Sequence, residues 1–262
     1  MGRESLHRGS SKEHDQDRSG MLRLIPPYIS EQVSSNAEKR LVRQLRDLAD
    51  RDCPELSDWV CLHSVNLLEH AYKRMGEIDL LLIGPPGVFV LEIKGGRVSR
   101  GDGIWEFTNK FDRVTRKTEG PFDQAKSAIF AIQDSLAGRL SQATLASVTF
   151  GYGVVFPDID FVTDSTEWSR EVVLDRKALE SGIPASLTRL AKYWTAKEHS
   201  APPRLSVKVI SEITDLVRPD FDLPVPDAEF YVLSVGDRYI RTVAAADFPL
   251  DFGIVMDLEN GS

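Results

Sequence analysis

The chain has 262 residues, 42% of them hydrophobic, and a formal net charge of −8, which is enough apolar material for one large domain or a domain with an appendage. No apolar run approaches the roughly 20 residues of a membrane span, and the polar start lacks the apolar segment of a signal peptide, so a cytoplasmic protein without membrane association is expected. The acidic balance argues against indiscriminate nucleic-acid binding, and Cys53 and Cys61, with no Cys/His cluster of zinc-site spacing, predict neither a disulfide framework nor a structural zinc.

Residues 1–20 are polar and charged and cannot repay the entropy of ordering, so a disordered tail is expected there. Ser35-Asn36-Ala37-Glu38 has the pattern of a capping box and predicts a helix to about Asp50, with Leu41, Val42, Leu45, Leu48 and Ala49 as its apolar stripe. Glu38 falls in line with Leu41 and Leu45, which turns its carboxylate toward the core side. There it either bonds back to Ser35 as a capping residue or serves as a metal ligand. Trp59 to Leu68 follows as a strand.

The stretch from Gly76 to Gly96 predicts a hairpin turning at Gly84-Pro85-Pro86-Gly87. If Ile83 pairs with Val88, the register places Asp79 opposite Glu92, with Lys94 two residues farther on the same face. Leu81, Ile83, Val88 and Val90 share that face, so the carboxylates stand on an apolar surface, where charges are seldom buried without partners. Two facing carboxylates ask for a cation, and a hard divalent ion such as magnesium, with manganese as an alternative, meets that demand through oxygen ligands. Lys94 would then orient or deprotonate the attacking water, or stabilise charge on a phosphate. The same register allows a plain cross-strand ion pair between Glu77 and Lys94.

From Lys94 to Lys117 seven basic residues (Lys94, Arg97, Arg100, Lys110, Arg113, Arg116, Lys117) stand against Asp102, Glu106 and Asp112. Trp105 and Phe107, on a short strand around Gly103 to Phe107, either offer a stacking surface or pack on the core. Gly120-Pro121 opens a second helix, with Ala125, Ala128, Ile129, Ile132 and Leu136 at helical spacing and Gly138 as its stop. Gln124 lies in its first turn, where it is either an ordinary exposed side chain or a contact to water or phosphate. Strands are predicted over Val148–Phe156 and Glu171–Leu174, helices over Pro184–Lys197 and Leu205–Val217, and a hairpin around Gly236-Asp237. No G-x-x-x-x-G-K-[ST], G-x-S-x-G or H-E-x-x-H pattern occurs, which removes P-loop, serine-hydrolase and zincin chemistry.

The order of Glu38, Gly76-Glu77-Ile78-Asp79, Phe89-Val90-Leu91-Glu92-Ile93-Lys94 and Pro121-Phe122-Asp123-Gln124-Ala125 resembles the nuclease-related domain (NERD), a branch of the PD-(D/E)XK restriction-endonuclease-like superfamily. The resemblance covers about Ser34 to Asp160 and fades toward Asp222. It implies an α/β fold with a restriction-endonuclease-like core, a central mixed sheet flanked by helices, over residues 21–222, leaving 223–262 as a C-terminal extension. It also implies magnesium-dependent cleavage of DNA that leaves 5′-phosphate and 3′-hydroxyl ends. Carried over by position, Asp79 and Glu92 would bind the metal, Lys94 would act on the attacking water, and Glu38 and Gln124 would complete the site, Glu38 as a further metal ligand. The superfamily's proline before the aspartate is Ile78 here, while the family's own Gly-Glu-Ile-Asp form is intact. Similar domains are often fused to a superfamily-1 helicase. The missing nucleotide-binding motifs therefore leave a separate helicase partner or a truncated gene as expectations, and a non-catalytic nucleic-acid-binding or scaffold module working with such a helicase as the alternative function.

Overall fold

The computed structural model describes residues 20–29, 35–51, 53–67, 76–199, 204–221, 231–235, 238–242 and 255–257; the tail expected over residues 1–20 lies, up to residue 19, outside them. In chain order the first unit, Met1–Pro219, contains β1 (Arg23–Ile25), α1 (Asn36–Asp50), β2 (Val60–Leu67), β3 (Gly76–Gly84), β4 (Gly87–Ile93), β5 (Arg97–Gly101), β6 (Ile104–Thr108) and β7 (Val114–Lys117). It continues with α2 (Pro121–Ala137), α3 (Gln142–Ala146), β8 (Thr149–Phe156), β9 (Val173–Asp175), α4 (Arg176–Glu180), α5 (Ile183–Glu198) and α6 (Val207–Val217). Six strands form one mixed sheet in the order β1-β2-β3-β4-β8-β9, and β5-β6-β7 form a separate antiparallel sheet. The second unit, Asp220–Ser262, holds β10 (Tyr231–Val235), β11 (Arg238–Thr242) and β12 (Val255–Asp257) in one antiparallel sheet, with the expected hairpin closing at Val235↔Arg238.

The β3–β4 hairpin occupies the middle of the large sheet, and its corners explain its glycines. A Cβ on Gly84 would lie 2.4 Å from the indole of Trp59, and one on Gly87, where φ is +149°, would lie 2.1 Å from the carbonyl oxygen of Thr149. Glycine at both corners lets the neighbouring chains close against the turn. On the far side β4 pairs with β8 in parallel, so the chain must cross over between them, and α2 makes that return, packed on β4 and β8.

Helices cover both faces of the sheet. Gly151 and Gly153 of β8 point at Trp194 and Leu190 of α5, whereas Phe156 meets the ring of Phe122 in the first turn of α2, with centroids 6.2 Å apart. The strands between are apolar on both sides, as strands buried on both faces are: every residue of β4 is buried, Glu92 included. The apolar surroundings of Asp79 and Glu92 therefore do not mark one face as special, because Leu80, Leu82, Phe89 and Leu91 on the other face are equally enclosed. The helix α1 buries Ala37, Leu41, Val42 and Leu45 as its stripe predicts, and the Ser35 hydroxyl accepts the Glu38 N–H at 3.3 Å to cap it.

Two predicted elements differ at their edges. The region expected as a strand from Glu171 begins as a 3₁₀ turn over Arg170–Val172, and the strand proper is Val173–Asp175. The basic stretch beside the hairpin contains three strands instead of one, because alternation in β5 and β7 is hidden among exposed polar residues.

Asp175 ends β9 and ties the start of α4 to the loop before β9. One carboxylate oxygen accepts the Ala178 N–H at 3.0 Å as the cap of α4, and the other accepts the Phe161 N–H at 3.1 Å and the Arg170 guanidinium at 2.7 Å. Burial alone would raise the pKa of this carboxyl; the backbone bond from Ala178, Arg170 and the bond from Phe161 together hold it below the usual range. Its stabilising contribution is therefore complete above about pH 4, the unfolded value, and is lost as the pH falls through the lower folded value. Asp175→Ala is expected to destabilise the first unit by about 2–4 kcal/mol, a lost cap plus charge-assisted bonds. Urea titrations at neutral pH check the size, and the same titrations at falling pH should show wild type converging on the variant.

Candidate active site

The β3–β4 ladder runs from Gly84↔Gly87 through Ile83↔Val88 to Leu80↔Leu91, the register the sequence predicts. At the next step, where Asp79 would face Glu92, the backbone pairing stops and the Asp79 side chain takes over: its Oδ2 accepts the Ile93 N–H at 2.7 Å. On its other edge β3 pairs with β2 from His63↔Leu80 to Val65↔Ile78, and the one unbridged step between them leaves Ser64 facing Asp79. Ser64 has φ +52°, a left-handed conformation that costs a non-glycine residue about 1–3 kcal/mol and persists only when its surroundings enforce it. Arg218, just after α6, supplies the enforcement. Its guanidinium donates to the carbonyls of Ser64 at 3.0 Å and His63 at 3.1 Å, and to that of Ile25 in β1 at 2.8 Å. Asp79 thus stands at a break in the sheet that an arginine holds from the opposite edge.

Lys94 follows β4 directly. Its backbone N–H still donates to the Val155 carbonyl at 2.9 Å, which fixes the direction of the side chain, and its ammonium donates to Glu92 Oε1 in an ion pair. Glu92 is the partner chosen; Glu77 is exposed, and the cross-strand Glu77–Lys94 pair that the register allowed does not form. Past Lys94 two glycines let other elements approach. A Cβ on Gly95 would lie 2.7 Å from the Cβ of Ala37, so the first turn of α1, which carries Glu38, seats on this point. Asp158 secures the contact by accepting from the Gly96 N–H at 2.7 Å and from Arg40 of α1.

Glu38 and Asp79 both feel the charges of the Glu92–Lys94 ion pair. Burial raises the pKa of the Asp79 carboxyl well above its ordinary value; the charges of Glu92 and Glu38 add to the effect, and Lys94 and the Ile93 N–H oppose it. Glu38 is also raised, by burial first, against its hydrogen bond with Ser35, with Glu77 and Glu92 adding to the rise. The capping contact with Ser35 forms, and Glu38 also feels the charges of Glu77, Lys94 and Glu92. Burial works against the Lys94 ammonium, but Glu92, Asp79 and Glu38 outweigh it and its pKa rises. In the metal-free site this keeps Lys94 a positive charge at neutral pH, held by Glu92.

Gln124 belongs to the helix that covers the same sheet face. Glu92 pairs with Val154 in the parallel ladder, so it shares a face with Phe156, the face that Phe122 and α2 cover. Gln124 lies in the first turn of that helix, and its Oε1 is enclosed with no hydrogen-bond partner among the described residues. An orphaned amide oxygen on the face that carries a surplus of carboxylates fits a donor set for a hard cation. Among the described residues no three Asp, Glu, His or Cys side chains stand together as a ready metal cage. Magnesium asks for less, since it binds through one or two carboxylates and keeps several waters. Asp79 and Glu92 meet that requirement.

Residues 34–157 match the family model of the nuclease-related domain, NERD. This stretch is a nuclease-related domain. No curated protein and no solved structure matches the chain. The NERD segment includes Glu38, Asp79, Glu92, Lys94 and Gln124, while Asp158 and Arg218, which brace it, lie beyond the matched residues. Neither brace has a sequence signal, because an aspartate after a strand and an arginine after a helix are ordinary until the chain folds back. Trp105 is resolved in favour of the packing alternative: it is 4% exposed and its ring lies against Phe107, Phe122 and Trp168.

Because Asp79 is raised, the metal-free NERD domain loses stability as the pH climbs from the unfolded carboxyl value, about 4, toward the folded one. Asp79→Asn keeps an oxygen for the Ile93 N–H and removes the charge. It is expected to raise the Tm of metal-free protein at pH 8 by about 2–4 °C, the shift that roughly 1 kcal/mol produces in a domain of this size. Thermal unfolding in EDTA across pH 5–8 checks this; a lower Tm for the variant throughout would contradict the electrostatic account.

Proposed function

We propose that the NERD domain hydrolyses DNA phosphodiester bonds with magnesium, or manganese in its place, which Asp79 and Glu92 would hold with Glu38 as a further ligand. The observation that carries this reading is the charge imbalance of the site: three carboxylates with raised or buried positions and a single ammonium among them. Repulsion of this kind opposes folding unless a cation relieves it, and a fold that retains it has a use for the cation. When bound there, the ion supplies the Lewis acidity that phosphodiester hydrolysis at neutral pH requires.

The chain's own groups divide the remaining work. The Ile93 N–H fixes the orientation of Asp79, and the break in the sheet at Ser64 frees its side chain from ladder geometry. Lys94, held by Glu92 and by its backbone bond to Val155, would offer its positive charge to a phosphate or to the attacking water. Gln124 Oε1, enclosed and without a partner among the described residues, would accept from a water. The enclosure of Glu92, 7% exposed, keeps competing bulk water out and strengthens each of these interactions.

The direct Lys94–Glu92 ion pair favours a second reading, a non-catalytic nucleic-acid-binding module in which the two charges only satisfy each other. The two readings part in one experiment. Purified full-length protein is incubated with end-labelled linear and circular DNA across a magnesium series, beside Asp79→Asn and Lys94→Ala. The nuclease reading expects metal-dependent cleavage that falls by about 100-fold or more in each variant, the loss typical of removing a charge-stabilising group. Equal activity in wild type and both variants, or salt-sensitive binding with no cleavage at any metal concentration, removes it.

A further inference from the structure

Resting on the nuclease reading, we propose that the turn from Asn109 to Arg113 is a stacking tip that holds an unpaired nucleotide of DNA beside the scissile phosphate. The turn joins β6 to β7 and is built rigidly. Asn109 Oδ1 accepts the N–H groups of Phe111 at 2.9 Å and Arg113 at 3.2 Å, and the backbone closes with Asn109 N–H to Arg113 O at 3.1 Å and Asp112 N–H to Asn109 O at 3.0 Å. At its apex Phe111 is 70% exposed, and the Lys110 ammonium lies 4.9 Å from its ring centroid. A rigid turn that pushes an aromatic ring into water, with a cation on that ring, gains nothing for the fold from the arrangement.

The base of the turn lies against Gly96, close after Lys94. Gly96 lies two residues after Lys94 with φ +82°, and a Cβ there would lie 2.1 Å from the Thr108 carbonyl oxygen and 3.3 Å from the Cα of Asn109. Only glycine lets the base of the turn come down onto the end of the catalytic strand. From the same sheet Phe107 lies under the Lys94 ammonium, 5.8 Å from its ring centroid. Trp105 and Phe107 define the inner face of the sheet, so the row Arg97↔Thr108↔Val114 belongs to the outer face, and Val114 is 51% exposed. Arg97 and Val114 thus lie on the outer face of the small sheet, behind the inner face on which Phe107 meets Lys94.

Charge selects the occupant. Arg100 and Arg116 are neutralised by Glu167 and Glu106, but Arg97, Lys110, Arg113 and Lys117 have no carboxylate partner among the described residues. In a protein of net charge −8 this local positive surface beside a phosphodiesterase site matches a nucleic-acid backbone. A single aromatic ring gains most from a base whose face is open, and the bases of an intact duplex are already stacked on both sides. The occupant is therefore a single strand, a flap or a frayed end, with Arg97 and Lys110 on its phosphates and Phe111 on its base.

The test uses full-length protein in the Lys94→Ala background to stop cleavage, with magnesium present. Binding of a single-stranded oligonucleotide carrying 2-aminopurine, and of the matching blunt duplex, is followed by anisotropy and by quenching of the base analogue. Single strand is expected to bind more tightly than duplex. Phe111→Ala should weaken single-strand binding about tenfold and abolish the quenching, Phe111→Trp should restore both, and the Tm should stay unchanged because the ring is exposed. Tight single-strand binding that is the same in Phe111→Ala, or a preference for duplex, overturns the stacking tip and leaves the nuclease reading intact. Wild type that neither cleaves nor binds DNA overturns both.

Discussion

Gly84 and Gly87 face each other across a turn of two prolines, and that closure decides by parity which side chains of the two central strands point the same way. Asp79 and Glu92 depend on it. A slip of one residue would send Asp79 to the opposite face from Glu92 and Lys94. The flanking strands can reach the hairpin only because no side chain occupies either corner, so the register is locked from outside by Trp59 and Thr149 as well as from within. The surrounding ladder is aliphatic and fully enclosed, which gives the hairpin the packing energy to carry a group that opposes folding.

That group is the buried Glu92 with the half-buried Asp79 and Glu38. Asp79, Glu92 and Glu38 repel one another in a low-dielectric setting, and one lysine offsets part of the repulsion. The sheet responds by breaking its hydrogen-bond ladder around Asp79 on both edges: Ser64 turns into a left-handed conformation on one side, and the aspartate itself captures a backbone N–H on the other. Arg218 places its cation on the carbonyls exposed by that turn. Strain and unfavourable charge are thus concentrated at one point and braced from distant parts of the chain.

The glycines after Lys94 do a second kind of work. Gly95 admits the start of α1 and Gly96 admits the base of the β6–β7 turn, so an acidic helix end and a basic hairpin both converge on the end of one strand. A separate small sheet is a compact way to present cations on an acidic protein, since its inner face is anchored by Trp105 and Phe107 while the outer face and tip remain free of the core.

Local pattern alone made much of this visible. The capping box at Ser35, the hairpin, its register and the helical spacing after Pro121 are short-range features, and each formed as its residues dictate, because turn chemistry and hydrophobic periodicity act within a few residues. The four acidic and basic positions in their order were enough to point to the NERD family. Hidden were Arg218, Asp158 and Ser64, whose roles arise from contacts between residues up to 193 positions apart, and the choice of Glu92 over Glu77 as the partner of Lys94. The sequence by itself thus determined which charged residues share a strand face. Only the tertiary structure decided which of them meet, how deeply they are buried and what braces them, because burial and long-range pairing are properties of the closed fold and leave no mark on any single stretch of chain.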